Sequence, residues 1–307
     1  MDCAKVAAGM TCLLVSLFCT VTGNACDVGD TSPRTVIITA FEPEWRALQD
    51  AIRDRHDLRN GGTEVATGEI GGKRIVALLS GISMVNAAMK AQMVIDCFKA
   101  ERIIFSGIAG GANPGLGIGD VVIPAQWSEY LESVYARRLG GAYTLPAFLP
   151  AASGLNFGMM FPETVQIVGA GGVLERRQWF AVNADLLAAA KTVAASTALR
   201  DCDPGAGQCL GRKPRIVVGG NGVSGQAFID NAEFRDWTRS TFQADAIDME
   251  SAAVAHVAYT NHVPFLAIRS LSDLAGGHAD ENRMKTFQSL AASNSVAVVS
   301  ALIEALQ

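Results

Sequence analysis

The chain has 307 residues, half of them hydrophobic and 18% charged, a globular composition with enough apolar material for a sizeable core. Its net charge is −5 and its Lys and Arg are scattered, unlike a basic face for nucleic acid, and an aromatic content of only 7% disfavours base-stacking platforms. The length allows one large domain.

Residues 1–25 stand apart. Lys5 precedes an apolar run from Val6 to Val21, and Gly23-Asn24-Ala25 supplies small residues at a cleavage site. This reads as a secretory signal cut after Ala25, with the run too short for a span of about 20 residues. Cys26 would then begin the mature chain, and residues 26–34 form a polar linker. The expected location is exported, periplasmic or secreted, with no further segment long and apolar enough to cross a membrane. Three of the seven cysteines fall in the signal (Cys3, Cys12, Cys19). Cys202 and Cys209 flank Asp-Pro-Gly-Ala-Gly-Gln, a loop composition, and a disulfide is expected to close it. Cys97, in an apolar helical stretch, reads as a small buried hydrophobe.

Arg34 to Ala40 is β-branched and apolar, a buried first strand. Glu44 to His56 has helical spacing at Trp45, Leu48 and Ile52. Thr63–Ile70 and Lys73–Leu79 read as strands joined at Gly71-Gly72. Ser83–Ala100 reads as a helix with Val85, Ala88, Met89, Met93 and Phe98 on its apolar side. Arg102–Ser106 is a short strand, followed by a glycine-rich segment and the strand 120–123. Residues 127–162 lack a clear period and read as a long excursion over the mouth of the site. Further helices are expected at 181–199, 233–241, 250–261 and 283–306, with strands at 215–219, 246–249 and 264–270. Continuous apolar strands alternating with helices predict an α/β domain over 35–307: a three-layer αβα sandwich with a mixed central sheet.

Active sites of such folds gather at the carboxyl ends of strands. Four segments stand there. In Phe41-Glu42-Pro43-Glu44, Pro43 suits a first helical turn, and either glutamate suits a base or a helix N-terminus. Ser106-Gly107-Ile108-Ala109-Gly110-Gly111 permits close backbone approach but lacks the Lys-Ser/Thr of an ATP-type phosphate loop. Ser224-Gly-Gln-Ala-Phe228-Ile229-Asp230 offers an aromatic for a base or for the core. In Asp248-Met249-Glu250 and Arg269-Ser-Leu-Ser272-Asp273, the strand-end carboxylates Glu250 and Asp273 with Arg269 nearby suit acid chemistry or a structural ion pair.

In their order and spacing, these segments resemble the purine nucleoside phosphorylase/nucleosidase superfamily over about residues 35–305, most of all the methylthioadenosine/S-adenosylhomocysteine nucleosidases. Secreted plant storage proteins of that superfamily are also similar. The resemblance implies a nucleoside phosphorylase-like fold, a purine nucleoside as small-molecule partner, and a homodimer in which a neighbour closes the 5′ pocket; no Cys/His spacing suggests zinc, and no metal or other cofactor is expected. It implies that Asp273 protonates purine N7, Glu44 activates water and Glu250 grips the ribose hydroxyls over Met249. Phe228 stacks on the base, the Ile229 backbone meets its edge, and Arg269 positions the carboxylates. Ile108, Ala109, Gly110 and Ser272 fall among the substrate-binding positions, and Met284 or Phe287 covers the 5′ substituent. Ile108 stands where many relatives have Ser.

Phosphorolysis needs a dianion pocket with several arginines. The Phe41-Glu42-Pro43-Glu44 segment would repel phosphate, so hydrolysis leads. The alternatives are a phosphorolytic enzyme of the same fold and an exported nucleoside-binding or storage protein with little turnover.

Overall fold

Apolar strand sequences alternating with helices bury a sheet on both faces, and the computed structural model has that architecture. It describes residues 32–306 apart from 33, 61, 150–153, 170–171, 204–206 and 279. The signal expected at 1–25, with its junction at Cys26, lies outside the described residues.

The chain runs through β1 (Arg34–Thr39), α1 (Glu42–Ala51), β2 (Arg53–Asn60), β3 (Thr63–Ile70), β4 (Lys73–Leu79), α2 (Met84–Cys97) and β5 (Ala100–Gly111). β6 (Val121–Ile123) and β7 (Gln126–Glu129) lead into short strands: β8 (Ser133–Tyr135), β9 (Arg137–Leu139), β10 (Ala142–Thr144), β11 (Met160–Pro162), β12 (Val165–Val168) and β13 (Leu174–Arg177). β14 (Phe180–Ala181), α3 (Ala184–Ala194), β15 (Ile216–Val218), β16 (Asn221–Ser224) and α4 (Ala232–Phe242) follow. β17 (Ala244–Asp248), α5 (Ser251–Thr260), β18 (Phe265–Asp273) and α6 (Met284–Ala305) complete the fold.

The main sheet has the order β14-β7-β16-β17-β5-β1-β4-β3-β2, with β18 joined to β5 and β6, and β15 to β6. It is mixed: β1, β4, β5 and β18 pair in parallel, whereas β17 meets β5, and β3 meets β4, antiparallel. Helices α1 and α3 pack on α6, and α2 packs on α5, so both faces are covered. The core is built from the aliphatic strands and these helices, with Val36–Ile38, Ile103–Phe105 and Phe265–Ile268 fully or almost fully buried.

Four expectations change. The first helix stops at Ala51, and Arg53–Asn60 is instead an edge strand on β3. Its polar, largely exposed sequence carries no alternation, and backbone pairing alone makes it a strand. On α2 the buried face is Ala87, Ala91 and Val94, while Val85 and Met89 are 67% and 54% exposed. Small residues let α2 approach α5, and the larger side chains turn outward. The excursion at 127–162 starts as β7 in the main sheet and then forms small antiparallel pairs, β8–β11 and β9–β10. It packs on α4, with Phe157 5.1 Å from Phe234 ring to ring and the Trp237 Nε1–H donating to Leu155 O. Finally, α6 is long and apolar enough to cross a membrane, contrary to the expectation of no such further segment, but most of it is buried as a core helix.

Cys202 and Cys209 form a disulfide. Cys97 is half-buried and also disulfide-bonded, not the simple hydrophobe expected.

Candidate active site

The carboxyl ends of β1, β5, β17 and β18 converge on one cavity, which is also lined by residues 227–229 after β16, Ile82 after β4 and Met284 at the start of α6. Glu44, Glu250 and Asp273 all line it. None of the described residues from 127–162 lines it.

Arg269 organises one side of the site. It sits fully buried in β18, with its guanidinium carbon 4.1 Å above the Phe105 ring. Its Nε lies 2.7 Å from Asp248 Oδ2 and donates to Ser251 Oγ at 2.9 Å. Its Nη2 reaches Glu250 Oε2 at 3.5 Å, and Nη1 lies 3.8 Å from Glu44 Oε1. Nη1 has no hydrogen-bond partner among the described residues. A buried guanidinium is tolerated only beside compensating anions, and three carboxylates supply them.

Asp248 was given no role of its own in the sequence, yet it fixes the turn that presents Met249 and Glu250. It accepts from the Ser224 and Ser251 hydroxyls and from the backbone N–H of Glu250 and Ser251, the latter two at 3.1 Å. The signal was present: an aspartate ending the apolar strand Ala-Asp-Ala-Ile-Asp must be paired when buried.

Glu44 serves two ends. Its Oε2 accepts from Ala40 N–H and Phe41 N–H at 2.9 Å, capping α1, while Oε1 accepts from Ile108 N–H on β5 at 2.8 Å. The helix-terminus reading and the site reading are therefore both realised, one per oxygen. Burial raises its pKa, opposed by Arg269 and the three amides. Glu250 lies just before α5 and accepts from Ser83 N–H at 2.7 Å. Ser83 has a φ of 84°, a left-handed conformation that costs a non-glycine residue about 1–3 kcal/mol and aims this N–H at the carboxylate. Burial, with the charges of Asp248 and Glu44, pushes the Glu250 carboxyl up, and Arg269 and Ser83 oppose this. One cation among three carboxylates favours retention of a proton.

Asp273 ends β18 beside Gly110. Its Oδ1 accepts from Ala275 N–H at 2.8 Å and, at 3.4 Å, from Asn282 Nδ2. Its Oδ2 accepts from the Ser272 hydroxyl at 2.9 Å. Burial raises its pKa, the three donors oppose this, and the charge of Asp230 adds to the rise.

Ile108, Ala109, Gly110, Phe228, Ile229, Met249, Ser272 and Met284 all line the cavity. Arg269 does not, and acts from behind the carboxylates. Phe287 is a correction: it is 1% exposed and packs with Ile118 and Leu290, because its position on α6 faces the core. Ser83 and Asn282 were missed, and Ser224 and Ser251 were given no role, since hydroxyls and amides carry no signal until the fold brings them to a carboxylate.

Gly107 belongs to strand β5, not to a loop, and permits the closest approach in the site. A Cβ there would lie 2.0 Å from Arg269 Nη1 and 2.5 Å from Glu44 Oε1. Gly107→Ala is expected to cost about 1–3 kcal/mol, the usual range for overpacking, and to depress whatever activity the site has. Urea unfolding of the variant checks this.

An αβα sandwich with an acid-lined cavity at its strand ends defines the class. The profile of the family described as Phosphorylase superfamily matches residues 34–304, and the chain belongs to that family. Among solved structures it is similar to the 5′-methylthioadenosine/S-adenosylhomocysteine nucleosidase of Neisseria meningitidis in complex with methylthio-immucillin-A. That likeness has 28% identity and a TM-score of 0.65, and covers 89% of this chain and 99% of the other. The corresponding nucleosidase of Colwellia psychrerythraea 34H, in complex with adenine, is 25% identical with a TM-score of 0.65, over 90% of this chain and 96% of that one. The futalosine hydrolase of Helicobacter pylori shares the fold at 22% identity and a TM-score of 0.67, over 90% and 99%.

Proposed function

We propose that this protein hydrolyses the N-glycosidic bond of a purine nucleoside, with 5′-methylthioadenosine or S-adenosylhomocysteine as substrate. The observation that carries the reading is the convergence of Glu44, Glu250 and Asp273 on one cavity. Departure of a purine leaves an oxocarbenium-like sugar, and two things lower that barrier: a proton on the leaving base and negative charge near the sugar. Asp273, held toward its neutral form by burial, is the acid that reaches purine N7. Glu44 is the base for water, and Arg269 Nη1, a buried donor beside Glu44 Oε1, helps to orient it. Glu250 binds the ribose hydroxyls above Met249, Phe228 stacks on the base, and the Ile229 backbone meets the base edge. Met284 covers the 5′ group.

Water rather than phosphate is the nucleophile in this proposal. Asp248, Glu250, Glu44 and Asp273 line the cavity, with no Lys or Arg among the lining residues. Arg46, the basic residue near Glu44 in sequence, is exposed and paired with Glu42. A phosphate dianion would therefore meet like charge, and the nearby cation, Arg269, already faces Asp248, Glu250 and Glu44. Purified protein mixed with methylthioadenosine, S-adenosylhomocysteine, adenosine and inosine is expected to release free base at equal rates with and without phosphate. Release that requires phosphate would establish phosphorolysis, and binding without release would establish a storage protein.

Two further parts of the proposal concern setting. The protein is exported, as its leader sequence and the Cys202–Cys209 disulfide suggest. It works as a homodimer through the α2 face, where Ile82, Val85 and Met89 are exposed close to the cavity lining. Val85→Asp is expected to give a monomer by light scattering, with a raised KM. An unchanged dimer would move the interface elsewhere.

A further inference from the structure

A second cleft shares Asp273 with the cavity and is also lined by Asp230, His278, Asp280, Asn282 and Arg283. At its centre Asn282 makes three contacts at once. Its Oδ1 accepts from Met284 N–H at 2.8 Å, and its Nδ2 donates to Asp230 Oδ1 at 3.0 Å and to Asp273 Oδ1 at 3.4 Å. The Met284 N–H, which can only donate, fixes which way the amide points. Asp230 is brought there by a close backbone approach: Asn231 N–H donates to Ala275 O at 3.2 Å, and a Cβ on Gly276 would lie 2.4 Å from Asn231 N.

The two oxygens of Asp273 are therefore unlike. Among the described residues Oδ1 faces only N–H donors, from Ala275 and Asn282, and neither can accept a proton. Oδ2 faces the Ser272 hydroxyl, which can accept as well as donate and has a second acceptor in Ala109 O at 3.4 Å. We infer that Asn282, anchored by Asp230, is a positioning residue that locks Asp273 Oδ1 and so assigns the transferable proton to Oδ2. The inference rests on the reading of Asp273 as the acid. It also ties the acid to the Met284 end of α6 through a single side chain, since Met284 lines the cavity.

The charged groups around Asp273 are Asp230, Asp280, Arg283 and the titratable His278 on the outer cleft, with Glu44, Asp248 and Glu250 across the main cavity. Asp230 and Asp273 both bind one nitrogen, at 3.0 Å and 3.4 Å, so their Oδ1 atoms are at most the sum of these two distances apart. At that range, in a partly screened setting, one negative charge shifts the other's titration by about 1 pH unit.

Two variants pull in opposite directions. Asp230→Asn removes the like charge and should move the Asp273 titration down by about 1 pH unit. Asn282→Ala removes an N–H that favours the ionised form, so the titration should move up, and kcat should fall by about tenfold with KM little changed. The titration is followed by carboxyl-carbon NMR, with Asp273 assigned as the signal missing from Asp273→Asn, and in parallel by the alkaline limb of base release. Asp230 is exposed, so its variant tests the idea even if Asn282→Ala folds poorly. Opposite shifts support the assignment. Unshifted titrations, or shifts of the same sign, overturn it. Retention of near-normal rates by Asp273→Asn would instead remove the acid reading, which the NMR result does not depend on.

Discussion

Asp273→Asn is expected to lower turnover at least ~100-fold, the lower end of what general acid catalysis contributes. Asparagine keeps the size and the contacts with Ala275 N–H and Ser272 Oγ but has no proton to give the departing base. Purine release followed by absorbance checks this, and a variant within a few-fold of the parent would take Asp273 out of the acid role. The pH dependence follows from the direction of the shift. Burial raises the Asp273 pKa, so the active protonated form persists above the usual carboxylate range of about 3.9 and is lost as pH rises through the raised value. Glu44 must be ionised to accept a proton, so the same profile falls on its acid side.

The same substitution carries a stability sign. The folded chain holds the Asp273 proton where the unfolded chain has already lost it. Unfolding in that interval releases a proton, so stability falls as pH rises from the unfolded value to the raised folded value. Above it the full cost of a buried charge remains. Asp273→Asn removes that cost and should melt higher than the parent at neutral pH while losing activity, the trade expected of a strained site.

Arg269→Met is expected to destabilise the fold by about 3–5 kcal/mol, the usual cost of removing one partner from a buried ionic cluster. Methionine has a comparable length and would fill the space over Phe105, so packing is not the main loss. The loss is the cation facing Asp248, Glu250 and Glu44, three carboxylates that are all nearly inaccessible to water. Without it their mutual repulsion is relieved only by protonation, so the deficit should shrink as pH is lowered. Denaturant unfolding at neutral and mildly acidic pH measures both quantities. A deficit below about 1 kcal/mol would mean that the cluster is solvated in a way that its burial does not indicate.

The layers and most elements were legible in the sequence because they rest on periodicity. Aliphatic runs such as Val36–Ile38 and Ile103–Phe105 have one physical destination, the centre of a covered sheet. The carboxylates of the site were legible as well, since charge in or next to an apolar strand is unusual enough to be read. Three things were not. The strand β2 has no apolar face, so only its backbone partner reveals it. The inward face of α2 is chosen by small residues that score weakly for hydrophobicity, and Val85 and Met89 misdirect the eye. Phe287 and Met284 sit three positions apart on one helix, and only the register of α6 against the sheet decides that Met284 faces the cavity and Phe287 the core.

The small antiparallel pairs from β8 to β11 have a consequence for how this scaffold can change. They leave the main sheet after β7, rejoin it only at β14, and among their described residues contribute no wall to the acidic cavity. Length and charge can therefore drift in the exposed β9–β10 pair, whereas Phe157 and Met160 share a core cluster with the cavity-lining Ile229, Ile247 and Ala275 and are held to its shape. One chemical engine can acquire new surroundings, partners or resistance to degradation while its reaction stays the same.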